Sequence, residues 1–222
     1  MSHQTVIVLD FGGQYNQLIA RRVRECNVYC EVMPCTTPLS QLKAMDPIGI
    51  IFTGGPNSVY LDSSPHVDPE IFTWGVPILG ICYGCQLMAH TLGGQVTAAQ
   101  DDSAREYGKT QTYYDTTSPL FKGLPQEGIS WMSHGDYMAK VPDGFALTAH
   151  SDSCPNVAIA DEARGFYGVQ FHPEVNHTQH GIDMIHNFLY EVCRAKGDWT
   201  MEDYCRTAIA QIREKIGGGK VL

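Results

Sequence analysis

Cys82 lies in Gly80-Ile81-Cys82-Tyr83-Gly84, between the apolar run Val76 to Ile81 and a helical pattern of Leu87, Met88, Thr91 and Leu92 that Gly93-Gly94 closes. This is the spacing of a nucleophile elbow with Cys in place of Ser. A sharp strand-to-helix turn forces an awkward backbone at the nucleophile, and flanking glycines leave room for the close approach. The thiol then points out of the sheet near a helix N-terminus, whose partial positive charge favours thiolate. Taken alone, the stretch could also hold an ordinary buried core Cys.

A Cys nucleophile needs a base, and the base needs an orienting group. Phe171-His172-Pro173-Glu174 offers both. If the segment is extended, His172 and Glu174 project to the same face, and Glu174 can orient the imidazole while its other nitrogen faces Cys82. An incidental surface His and Glu is the plainer alternative for that pair. An oxyanion needs two N–H donors. Tyr83, the residue after the nucleophile, supplies the first, and Gly55 of Thr53-Gly54-Gly55-Pro56 is the candidate for the second.

The elements that must position these residues follow from hydrophobic periodicity. Thr5–Asp10, Val28–Met33 and Gly49–Phe52 read as strands, and Leu39–Met45 reads as a short helix. Between the first two strands, Tyr15, Leu18, Ile19, Val23 and Cys26 fall on one helical stripe. Alternating strand and helix predict a helix-covered parallel sheet with function at the carboxyl ends of its strands. Tyr107–Tyr114, Ile129–Met132, Ala146–His150, Val157–Ala160 and Phe166–Phe171 read as further short strands, the last two forming a hairpin. Ile182, Ile185, Phe188, Leu189 and Val192 mark one face of a helix over about 182–194. Thr200 to Asp203 spells a capping box ahead of a stripe of Tyr204, Ala208, Ile209, Ile212 and Ile216. Lys220-Val221-Leu222 looks like the opening of a strand.

Composition sets the outer bounds. The chain has 222 residues, 43% hydrophobic and 18% charged, as expected of a globular core. A net charge of -9 with no basic run argues against a nucleic-acid partner. No apolar run reaches membrane-span length and no signal peptide is read, so a cytoplasmic location is expected, with the eight Cys as free thiols.

Gly80-Ile-Cys82-Tyr-Gly84-Cys-Gln86, Thr53-Gly-Gly-Pro56 and Phe171-His172-Pro-Glu174 together resemble the class I (triad) glutamine amidotransferases, in order and separation, over residues 5 to about 193. Asp10 to Tyr15, Gln17 to Arg24, Arg105 to Gly108, Trp131 to Asp136 and His177 to Gly181 narrow the resemblance to the amidotransferase domains of glutamine-hydrolysing GMP synthetases. The fold implied is flavodoxin-like α/β, a mostly parallel central sheet with helices on both faces and an added antiparallel hairpin region. The roles implied are a Cys82 nucleophile forming a γ-glutamyl thioester, His172 as proton shuttle oriented by Glu174, and Gly55 and Tyr83 as oxyanion donors. Gln86 and the backbone of Ser133, His134 and Gly135 take the glutamine-binding positions.

On the same resemblance, residues 1–195 form the amidotransferase domain. Residues 196–222 form a linker helix and the truncated start of an ATP-pyrophosphatase domain, where ATP and Mg²⁺ act and ammonia meets adenylated xanthosine monophosphate. This chain itself would need no cofactor and no metal, and a homodimer belongs to the full-length enzyme. Gly13 and Cys85 depart from the family pattern, which leads one to expect Ser and Met, and Asn176 stands where Thr or Val is usual.

Two other classes of reading remain at this point. Cys82-x-x-Cys85 also spells a redox dithiol, or half of a zinc site with Cys26 and Cys30. An amidotransferase could instead serve anthranilate, carbamoyl phosphate or CTP synthesis, and nothing in spacing or composition names the acceptor of its ammonia.

Overall fold

The computed structural model describes residues 3–99, 105–217 and 219. Its first half alternates strand and helix: β1 (Thr5–Asp10), α1 (Asn16–Glu25), β2 (Tyr29–Pro34), α2 (Leu39–Ala44), β3 (Gly49–Phe52), β4 (Ile78–Ile81) and α3 (Tyr83–Thr91). β5 (Gln95–Ala98), β6 (Glu106–Tyr114), β7 (Glu127–His134), β8 (Asp136–Lys140), β9 (Ala146–Ser151), β10 (Ala158–Asp161) and β11 (Phe166–Val169) follow, then α4 (Gly181–Asn187) and α5 (Met201–Ile216). Nine strands make one sheet in the order β2-β1-β3-β4-β11-β10-β9-β6-β7, and β5 pairs with β8 in a second.

The strands β2, β1, β3, β4 and β11 are parallel neighbours, whereas β10, β9, β6 and β7 join by antiparallel pairing. All four residues of β3 and of β4 are buried, as continuous apolar runs in a sheet covered on both faces should be. One apolar cluster carries Val6, Val8, Ile19, Val23 and Phe188; the other carries Ile7, Leu9, Leu42, Phe52 and Leu87. Successive β1 residues alternate between the two clusters, as the two-residue period of a strand requires. Burying one such aliphatic side chain is worth about 1.5–3 kcal/mol, so the helices that pack on the sheet are held mainly by their apolar stripes rather than by propensity.

Several expectations need correction. The strand at Phe166 ends at Val169, so His172 and Glu174 lie in a turn rather than in extended chain. β5 and β8 are too short and too polar to stand out in periodicity, and they hold together by pairing with each other. Ile182 is exposed, because α4 directs Met184 and Ile185 inward and then continues as a π-helical turn over Phe188–Val192. The α5 stripe buries nothing: Tyr204, Ile209 and Ile212 are all exposed. The expected cap is present, with Thr200 Oγ1 accepting the Asp203 N–H at 3.1 Å. Residues just before it are still tied to the body of the molecule. The Lys196 N–H donates to Gln4 Oε1, and Trp199 is buried beside Tyr29. The strand fragment at Lys220-Val221-Leu222 lies outside the described residues.

Candidate active site

Three adjacent parallel strands deliver the candidate residues. β3 leads into Thr53-Gly54-Gly55, β4 leads into Cys82, and β11 leads through Gln170 and Phe171 to His172. Register fixes their meeting: Phe52 pairs with Gly80, and Ile81 pairs with Val169. Backbone hydrogen bonds then stitch the loops together, Cys82 N–H to Val169 O at 2.8 Å and Gly84 N–H to Thr53 O at 3.1 Å. His172 N–H reaches across to Trp131 O at 3.0 Å, bringing in β7.

The backbone at Cys82 is awkward, as the elbow demands. Its φ of 52° and ψ of -109° lie where L residues rarely sit, a strain of about 1–3 kcal/mol that the surrounding structure must over-determine. Gly84 explains the following glycine, since a Cβ there would stand 2.6 Å from Phe52 O. At Gly54 a Cβ would come within 3.1 Å of His172 Cε1, so a side chain would press on the base.

Around this elbow lies a cavity of about 290 Å³, lined by Gly12, Gly13, Gln14, Tyr15, Gly54, Gly55, Pro56, Cys82, Ser133 and His172. Cys82 and His172 are both nearly buried, and Glu174 is fully so. His172 Nδ1 donates to Glu174 Oε1 at 2.7 Å, which leaves Nε2 as the ring nitrogen available to Cys82. Arg22 Nε donates to the Glu174 carbonyl at 2.9 Å, and Thr178 Oγ1 donates to the His172 carbonyl at 2.6 Å, so the turn carrying the pair is braced from α1 and from its own far side. Burial by itself would depress the His172 pKa. The neighbouring Cys82 sulfur and the Glu174 carboxylate outweigh it and raise the value to about 10. The thiol itself donates to the Ser133 carbonyl at 3.8 Å.

Gly55 lines the cavity, and neither its N–H nor that of Tyr83 has an acceptor among the described residues. Both are thus available to an incoming oxygen. Of the four glutamine-binding candidates, Ser133 alone borders the cavity. Gln86 is buried and does not line it, Nε2 donating to Asp136 O at 2.9 Å and to Gln170 Oε1 at 3.0 Å. The His134 side chain turns inward to Glu106, and the Gly135 carbonyl accepts the Ala99 N–H.

Sequence reasoning passed over Gln170 and Tyr15 as site residues. Gln170 is fully buried with Nε2 at 3.8 Å from Cys82 Sγ, and the Tyr15 ring meets the His172 ring edge-on at 5.3 Å between centroids. A polar Gln inside the apolar stretch before His172 was the available signal for the first. Cys85 offers no dithiol partner for Cys82. It is fully buried, packs into the other apolar cluster, and lies 3.7 Å from Met138 Sδ. Among the described residues no group of three or more His, Cys, Asp and Glu could hold a metal ion, and no helix is long and apolar enough to cross a membrane.

A mostly parallel sheet with a strained Cys at a strand-to-helix turn, beside a His held by a Glu, defines an α/β protein with the arrangement that thiol nucleophilic catalysis requires. The family model for glutamine amidotransferase class-I matches residues 7–192, and the chain belongs to that family. It is 54% identical over 222 residues to a GMP synthase [glutamine-hydrolyzing] of Caldicellulosiruptor saccharolyticus, and to the same degree to that of Finegoldia magna. Each match covers all of this chain but 43% of the relative, so the chain spans less than half the length of these curated relatives. The crystal structure of a Thermoplasma acidophilum protein, provisionally assigned to a GMP synthase as one of its subunits, superposes with a TM-score of 0.77 at 30% identity, covering 94% of this chain and 99% of that one. A glutamine amidotransferase from Thermotoga maritima shares the fold, with a TM-score of 0.70 at 17% identity over 88% of this chain and 100% of its own.

Proposed function

We propose that this chain is the glutaminase part of a glutamine-hydrolysing GMP synthase. The observation that carries the chemistry is the 2.7 Å His172–Glu174 hydrogen bond, next to a Cys whose backbone is held at positive φ in the same cavity. Cys82 passes its thiol proton to His172 and attacks the side-chain amide of glutamine as the thiolate, and Gly55 and Tyr83 N–H groups take the negative charge of the tetrahedral intermediate. His172, positively charged at neutral pH, passes its proton to the departing ammonia; once neutral, it draws a proton from the water that cleaves the γ-glutamyl thioester. Glu174 keeps the ring oriented throughout. Ser133 fits a role in holding the substrate, with Gln86 bracing Gln170, which in turn reaches Cys82.

Residues 1–195 would form this catalytic domain. The exposed apolar face of α5 then suits a linker to an ATP-pyrophosphatase domain, where ATP and Mg²⁺ would activate xanthosine monophosphate for amination. The names and greater length of the relatives support that acceptor over anthranilate, carbamoyl phosphate or CTP synthesis. The test uses the full-length protein. Cys82→Ala should abolish glutamine-dependent GMP formation but leave synthesis from added ammonia within about twofold, because the amination chemistry lies elsewhere. Loss of both activities in a folded variant would contradict this division of labour.

A further inference from the structure

Glu106 is a carboxylate buried in the sheet, away from the cavity, that the chemistry above leaves without a role. On the β6–β7 ladder it stands directly opposite His134. Three side chains donate to it: His134 Nε2 at 3.2 Å to Oε2, and the hydroxyls of Ser151 and Ser153, each at 2.6 Å, to Oε1. Burial alone would raise its pKa, but these three donors together lower it, so the group sits there as an anion. His134 Nδ1 in turn lies 3.0 Å from the Asp136 carbonyl. Both ring nitrogens thus face acceptor oxygens, which pins the ring between β6 and the Asp136 backbone.

From that ring two short routes lead to the nucleophile. Ser133 precedes His134, and its carbonyl accepts the Cys82 thiol. The Asp136 carbonyl also accepts from Gln86 Nε2, which donates to Gln170 Oε1, and Gln170 Nε2 reaches Cys82 Sγ. We propose that Glu106 is a positioning residue for the nucleophile, fixing His134 and thereby the Ser133 and Asp136 carbonyls that set where the Cys82 sulfur lies. The mechanical part of this stands on geometry alone; its effect on turnover rests on the glutaminase reading given above.

Glu106→Gln tests it. The glutamine keeps the volume and can still accept from both serines at one oxygen. Its amide nitrogen, however, replaces the carboxylate oxygen that His134 Nε2 meets, so the contact that holds the ring is lost or rearranged. Three measurements are made on the folded chain well below its melting temperature: the rate of Cys82 alkylation by iodoacetamide, followed by peptide mapping; kcat and KM for glutamine hydrolysis; and the melting temperature. A Leu42→Ala variant, a core truncation on α2, serves as a control for general destabilisation. Misplacing a reacting group by about 1 Å costs on the order of a hundredfold, so a partial shift should lower kcat about tenfold or more, with KM changed less than about threefold. The Cys82 alkylation rate should change about threefold or more in Glu106→Gln and stay unchanged in Leu42→Ala.

A Glu106→Gln variant that melts lower yet keeps both the alkylation rate and kcat of the original would show that Glu106 only supports the sheet, and would overturn the proposal. If Glu106→Gln does not fold, Ser151→Ala, which removes one donor from the same carboxylate, is read the same way. Should the full-length protein fail to hydrolyse glutamine, the function proposed above falls, while the alkylation rates on this chain still decide the role of Glu106.

Discussion

Glu174 follows His172 by two residues, yet the chain turns between them, and Glu174 Oε1 still lies 2.7 Å from His172 Nδ1. An extended strand would have given the same facing by alternation. The turn gives more, because it frees the Glu174 carbonyl to accept from Arg22 on α1 and so anchors the carboxylate from outside the sheet. Together with the Cys82 sulfur, the Glu174 carboxylate favours the charged form of His172.

That charge state has a pH signature. His172 is raised to about 10 in the fold from an ordinary 6.5. A raised pKa on a base means that the folded state binds the proton more tightly than the unfolded chain. The stabilisation is therefore complete below about pH 6.5 and is lost as pH rises through about 10. Denaturant unfolding between pH 6 and pH 10.5 should show stability falling across that window, and Glu174→Gln should flatten the fall. The imidazole Cε1–H proton resonance of His172 should titrate near pH 10 in the folded chain. A midpoint between 6 and 7 would contradict the assigned ion pairing.

The nucleophile should be singled out by chemistry rather than by exposure. Cys205 is the exposed thiol, on α5, whereas burial pushes Cys26, Cys30 and Cys154 up to about 11 and Cys85 and Cys193 higher still. Iodoacetamide should therefore modify Cys205 readily. An electrophilic glutamine analogue should instead label Cys82 in preference to all the others, because that thiol alone is flanked by a base and oxyanion donors. Labelling found mainly on Cys85 or Cys205 would remove Cys82 from its role.

Strain at the elbow predicts an inversion in stability. Glycine normally costs about 0.5–1 kcal/mol against alanine through the unfolded chain. At Cys82 the positive φ penalises any Cβ by about 1–3 kcal/mol, so Cys82→Gly should be more stable than Cys82→Ala by about 1 kcal/mol, with both inactive. Gly84→Ala should also be destabilising, here through a clash rather than through φ, because its Cβ meets Phe52 Cβ and the Phe52 carbonyl, neither of which can swing aside. Urea midpoints of the three variants check both signs, and a Cys82→Ala variant at least as stable as Cys82→Gly would mean that the elbow stores no strain.

The sequence by itself determined the elbow at Cys82. Gly80, Cys82 and Gly84 constrain one turn through contacts a few residues apart, and such local constraints are written in spacing. It likewise determined the parallel sheet, because the runs in β1, β3 and β4 are apolar on both faces, and the His172–Glu174 pair, whose partners are neighbours in the chain. Tertiary structure decided what depends on register between distant strands. Gln170 reaches Cys82 because β11 lies beside β4, with Val169 opposite Ile81. His134 turns away from the cavity because Glu106, 28 residues earlier, stands opposite it on β6. The exposed stripe of α5 shows the same limit from the other side. An amphipathic period states that a face is suited to burial, but whether anything covers it depends on what the rest of the fold brings there.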